Sequence, residues 1–130
     1  MEPAQAVADL TEISTQIEGA VLASRDGSLV ASSYPDERAR EIAENAVRLF
    51  DGAAEAVDGG REPSQVEAAT REGCVFVVRD ERHVVAAVTG PDPTAGLVFY
   101  DLKTCLRQVA DARAPKPKRT KKKESGAKDA

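Results

Sequence analysis

Gly19 to Ser33 reads GAVLASRDGSLVASS. Two short runs of apolar and small residues flank Asp26-Gly27. Asp-Gly between apolar runs predicts a hairpin with a two-residue type I′ turn, which needs positive φ at both central residues. The strands are predicted over 17–25 and 28–34. Ala20, Ala23, Ser24, Ala31, Ser32 and Ser33 recur through them and leave room for a neighbour to pack closely. Everything else in the chain is placed relative to this hairpin.

Upstream, Val7, Leu10 and Ile13 recur at helical spacing and predict a first short helix over 3–15. Downstream, Pro35 closes the second strand, and Asp36 is predicted to N-cap a long helix. One face of that helix carries Ala39, Ile42, Ala43, Ala46, Phe50 and Ala53, with Val47, Ala54 and Val57 extending it. Arg40, Glu41, Glu44, Arg48, Asp51 and Glu55 lie mostly opposite. Asp58-Gly59-Gly60 ends the helix, since glycine accepts the left-handed cap. Three strands follow. Ser64 to Arg71 is polar and reads as an edge. Cys74–Arg79 (CVFVVR) and His83–Thr89 (HVVAAVT) are continuous apolar runs, which suits burial on both faces. A last helix opens at Pro91-Asp92-Pro93-Thr94 and runs to about Ala112, with Leu97, Val98, Leu102, Cys105, Leu106 and Val109 on one stripe. The order is α-β-β-α-β-β-β-α, an α+β fold. Short connections make the sheet mostly antiparallel, with helices available for both faces.

The chain has 130 residues, enough for one domain. Aromatic content is 4% with no Trp, so the core is built from Ala, Val, Leu and Ile. No apolar run approaches the roughly 20 residues that span a bilayer, and the N-terminus lacks signal-peptide character. These features predict a cytoplasmic protein with reduced cysteines. The net charge of −4 hides an asymmetry. From Arg113 to Ala130 there are eight Lys or Arg against two acids, and residues 1–112 hold ten against twenty. The expected division is a body over 1–112 and a basic tail over 113–130. The tail has no apolar residue larger than Ala and is predicted to be disordered.

Catalytic chemistry finds little support. His83 stands alone at the start of an apolar strand, where histidine is usually structural. Cys74 and Cys105 have apolar neighbours and no ligand-like spacing, so each reads as a small hydrophobe. Phosphate-loop and dinucleotide motifs are absent. The reading is non-enzymatic, with no cofactor and no metal. Two features point to partners instead. The Ala-rich helix and the edge strand, with Gln65, Val66, Glu67 and Ala68 at its centre, suit a homodimer. The cations Lys116, Lys118, Arg119, Lys121, Lys122 and Lys123 suit either solubilisation or an electrostatic tether to a polyanion or acidic surface.

Taken in order, the opening helix, IEGAVLASRDGSLVASS (17–33), the Ala-rich helix and GPDPTAGLVFYDLKTCLRQV (90–109) resemble the Roadblock/dynein light-chain domain in its bacterial form. The resemblance covers roughly residues 3–112. It departs at Ser28-Leu29, where the family usually has Leu-Pro, and at the polar strand 64–71. It implies a five-stranded antiparallel sheet with the middle helix on one face and the terminal helices on the other. It also implies a homodimer that extends the sheet across the edge strand and pairs the middle helices, and a role in binding and regulating a Ras-like small GTPase or scaffolding a complex that contains one. The contact surface would include Arg40, Glu44, Arg48 and Asp51, with an arginine finger from Arg38, Arg40 or Arg48 as the minor variant. Two alternatives come from other classes: a small-molecule sensor of the profilin or PAS kind, which shares an antiparallel sheet flanked by helices and whose pocket the small hairpin residues would line, and a structural adaptor tethered to a polyanion by its basic tail.

Overall fold

The computed structural model describes residues 1–57 and 63–113. The elements are α1 (Pro3–Ile13), β1 (Ile17–Ser24), β2 (Leu29–Ser32), α2 (Asp36–Ala56), β3 (Gln65–Ala69), β4 (Cys74–Arg79), β5 (His83–Thr89) and α3 (Ala95–Arg113). The expected helix stop at Asp58-Gly59-Gly60 and the tail from Ala114 lie outside the described residues.

The five strands form one sheet in the order β2-β1-β5-β4-β3, antiparallel throughout. β1 and β5 are neighbours at its middle, with Ala20 opposite Ala87 and Leu22 opposite Val85. α1 and α3 cover one face and α2 the other. This is the three-layer arrangement that the resemblance implies.

Side-chain alternation divides the core between the two faces. Leu22, Phe76 and Val85 point to the α1–α3 layer and meet Val7, Leu10 and Leu102. There Phe76 meets Phe99 edge to face, with ring centroids 5.0 Å apart. On the other face, Val77, Val84 and Ala86 pack on Ala46 and Phe50 of α2. Val21 and Ala23 pack on Ala39 and Ala43. The Arg79 guanidinium lies 4.3 Å from the Phe50 ring centre and caps this layer by a cation–π contact.

The hairpin turn differs from the type I′ expectation. Gly27 has φ of +96°, but Asp26 is not among the positive-φ residues. Gly27 N–H donates to Ser24 O at 2.9 Å, and Ser24 N–H donates to Ser28 O at 2.8 Å. The loop is therefore three residues long, Arg25-Asp26-Gly27, with glycine in the left-handed position. Asp26 Oδ1 accepts the Ser28 N–H at 2.9 Å, and this bond holds the Asp26 carboxyl below its ordinary pKa. The extra residue accompanies a register shift between Leu22 and Ala23.

Other boundaries shift for similar local reasons. Pro35, not Asp36, is the N-cap of α2, and Asp36 makes no side-chain cap bond. Asp36 and Glu37 instead sit in the first turn, where their charges oppose the positive end of the helix dipole. β3 spans only Gln65–Ala69, short of the expected 64–71. α3 begins at Ala95, after the bend that contains Asp92 at φ +59°. Ile13 and Leu97 leave the expected apolar stripes and are 71% and 56% exposed. Val57 is 43% exposed at the end of α2.

The small residues of the hairpin are filled by neighbours. Gly19 lies beneath the Tyr34 ring, which occupies the space a Cβ would need. Ser33 Oγ accepts the Ala20 N–H at 2.9 Å and extends the β1–β2 contact past the end of β2. Ala39, Ala43 and Ala46, expected to admit a second helix, face the sheet and bring α2 close to it. Both thiols are buried. Burial, with a smaller push from the Asp9 charge, raises the Cys105 pKa to about 11.

Two outcomes follow from this packing. Gly19→Val must displace Tyr34 and is expected to lower stability by about 1–3 kcal/mol, whereas Gly52→Ala, in open space on α2, is expected to raise it by about 0.5–1 kcal/mol; chemical denaturation measures both. At pH 8 the Cys105 thiol lies below its pKa and is protonated, so a thiol-specific disulfide reagent is expected to label it in unfolded protein and leave it largely unreacted in native protein.

Candidate partner-binding surfaces

α2 presents two different surfaces beside its buried ridge. Arg40, Glu44, Arg48 and Asp51 are all exposed on the side away from the sheet. Arg40, Glu44 and Arg48 follow one another at single-turn spacing and form a ridge of alternating charge. The Arg48 Nη1 donates to Asn45 Oδ1 at 3.3 Å. Arg38 does not join this ridge. It pairs with Glu41 at 3.8 Å, and its guanidinium stands 6.0 Å from the Tyr34 ring centre. Of the three arginines named for a finger, Arg40 and Arg48 are therefore on the charged ridge.

The flank of α2 carrying Arg38 borders an apolar cleft of about 250 Å³. Ile42 and Leu49 form its helix wall, and Ala68, Val75 and Val88 its sheet wall. Leu49 was not on the apolar face read from the sequence. Its spacing of seven from Ile42 is the signal that marks this second stripe.

The cleft opens beside β3, at the edge of the sheet. Register decides what β3 offers. Val66 pairs with Val77 and Ala68 with Val75, while Ser64 O accepts from Arg79 N–H and Thr70 N–H donates to Gly73 O. Even-numbered residues thus bond to β4. The backbone groups of Gln65, Glu67 and Ala69 point outward, where another strand would bind. Val66 and Ala68 are half-buried toward α2, and the Gln65 and Glu67 side chains are exposed on the other face.

The candidates for chemistry stay apart. His83 is buried, and its backbone N–H donates to Asp80 Oδ1 at 2.8 Å in the β4–β5 turn. Cys74 is on β4 and Cys105 on α3. Among the described residues, no group of three His, Cys, Asp or Glu could hold a metal ion. No helix among them is long and apolar enough to cross a membrane. Lys116, Lys118, Arg119, Lys121, Lys122 and Lys123 lie outside the described residues.

Comparison with solved structures identifies the architecture. A Roadblock/LC7 domain from Streptomyces avermitilis superposes with a TM-score of 0.77 at 19% identity, covering 84% of this chain and 95% of that one. MglB from Myxococcus xanthus gives 0.67 at 17% identity, with 88% and 92% covered. A profilin from Schizosaccharomyces pombe gives 0.59 at 10% identity, with 85% and 98% covered. These identities establish a shared fold. A search of curated proteins returns no match. The family model for the Roadblock/LC7 domain matches residues 4–89, from α1 through the end of β5. The chain belongs to the Roadblock/LC7 domain family.

Proposed function

We propose that this chain is a homodimeric, non-enzymatic regulator or scaffold that binds a Ras-like small GTPase in the cytoplasm and modulates its GTP hydrolysis or exchange. The observation that carries the reading is the adjacency, on one face, of an open strand edge, an apolar cleft and a charged helix ridge. The first two suit a second copy. β3 of one protomer pairs with β3 of its partner through the outward groups of Gln65, Glu67 and Ala69, while Ile42 and Leu49 meet their counterparts across the cleft. Glu67 directly opposite Glu67 of a second copy would repel, so the favoured register sets the two glutamates off the axis. Dimerisation leaves the ridge of Arg40, Glu44, Arg48 and Asp51 on the outside of both α2 helices.

Such a surface can act on a GTPase without an active site of its own. A GTPase carries its own magnesium and phosphate machinery, and its switch loops respond to contacts that order or release them. Family membership supports this reading, as does the scatter of the candidate catalytic residues. Tyr34 and the α2 alanines pack against the small hairpin residues, which works against a sensor pocket beside them. The tail cations remain suited to tethering the assembly to an acidic surface.

Two substitutions separate assembly from recognition. Glu67→Pro removes an outward N–H and leaves every β3–β4 bond in place. Light scattering is expected to show twice 13.8 kDa for the parent chain and the single mass for this variant, with unchanged circular dichroism. A parent that is monomeric at tens of micromolar would contradict the dimer. Arg48→Glu changes an exposed side chain and is expected to leave mass and stability within about 0.5 kcal/mol of the parent. It is expected to weaken capture of GTP-loaded, magnesium-bound small GTPases by about tenfold. Absence of any capture by the parent chain, together with unchanged hydrolysis and exchange rates, would end the GTPase reading.

A further inference from the structure

The sheet face opposite α2 has an unsatisfied surface of its own. α1 and α3 lie side by side there, and between them runs a cleft of about 190 Å³. Ala6, Leu10 and Ile13 of α1 form one wall and Tyr100 of α3 the other. Among the described residues five large apolar side chains are exposed, and two of them, Ile13 and Tyr100, line this cleft. Ile13 is 71% exposed and Tyr100 62%; Leu97, one turn before Tyr100 on α3, is 56% exposed. Exposed apolar side chains gathered at a cleft suit a contact surface.

Its rim is acidic. Asp9 and Asp101 line the cleft and no Lys or Arg side chain does, while the Met1 ammonium donates to Gln108 O at the cleft's end. α1 contains no basic residue at all. Asp9 accepts a bond from Gln5 Nε2 at 2.8 Å, which holds the carboxylate in place on the rim. The groove is bounded by an 11-residue helix, about 16 Å long, which matches three turns of a docked helix.

These features identify the occupant by its chemistry. A second copy bound about a two-fold axis would set acidic rim against acidic rim. The chain's own residues 114–130 carry the opposite charge but no apolar side chain larger than Ala, apart from proline, so they lack what would cover Ile13, Leu97 and Tyr100. We propose that the α1–α3 cleft docks, in trans, an amphipathic helix whose apolar ridge is flanked by Lys or Arg. The ridge fills the cleft with residues at i, i+3 or i+4, and i+7, while the flanking cations meet Asp9 and Asp101. The surface is on the far side of the sheet from α2. It would leave the dimer and the GTPase ridge free, and could join either to a further component.

The test uses the full chain and a fluorescent helical peptide of about 14 residues with leucines at i, i+3 and i+7 and lysines beside them. The expected result is saturable binding that weakens with salt and falls about tenfold in Tyr100→Glu and in Asp101→Lys. Both sites are on the surface, and circular dichroism checks that the variants remain folded. A peptide with glutamates in place of the lysines is expected not to bind. No binding of the lysine peptide, or equal binding by the Tyr100→Glu variant, overturns the proposal. Binding that appears only after residues 114–130 are removed would make the tail the occupant and equally overturn it. So would a change of mass in solution on Tyr100→Glu, which would make the occupant a second copy.

Discussion

The rest of the structure depends on the ladder between β1 and β5. Ile17–Ser24 and His83–Thr89 pair at the centre of the sheet, each with a strand on its other side and helices on its faces. Without this ladder the sheet divides into the β1–β2 hairpin, too small to be stable alone, and a separate β5–β4–β3 piece. With it, Leu22 and Val85 share one core layer and Val21 and Ala86 stand above the other. α1, α2 and α3 then have a continuous surface to cover.

That ladder also assigns the surfaces. Alternation sends one set of side chains toward α1 and α3 and the other toward α2. The pairing of β4 outward from β5 leaves β3 at the rim, where its parity determines that Gln65, Glu67 and Ala69 turn their backbone groups away from the sheet. An edge, an apolar cleft and a charged ridge thus come together on the α2 side. On the other side the two terminal helices meet without closing the space between them.

Much of this was legible in the chain. Continuous apolar runs marked β4 and β5 because both of their faces are buried, and a 3.6-residue period marked α2. The polarity of β3 marked an edge, and Arg40, Glu44, Arg48 and Asp51 read correctly as exposed. What escaped depended on register or on the angle between elements. Asp26-Gly27 names a turn, but the length of its loop is set by how β1 meets its neighbours, and a register shift at Leu22/Ala23 lengthened it. Ala39, Ala43 and Ala46 suit close approach by anything, and only the packed structure shows that the sheet takes that place. Ile13 and Leu97 continue apolar patterns, yet each is turned to solvent in the first or last turn of its helix. The cleft between α2 and β4 combines residues from elements far apart in sequence, so no local pattern predicts it.

The position of β5 bears on how the chain comes to be folded. The central ladder joins the strand that opens the domain to the last strand before α3, with some sixty residues between them. Loop closure of that length carries an entropic cost before the contacts repay it, and topologies dominated by such distant pairs fold slowly. On the ribosome, the β1–β2 hairpin emerges early but finds no partner for its inner edge until β5 has been made. During that interval β1, rich in Val, Leu and Ala, is an unprotected strand. The β4–β5 hairpin, whose short turn is held by Asp80, can form at once and offers the first matching edge. Completion of the sheet therefore waits for β5 to be made, and the order of the strands makes it so.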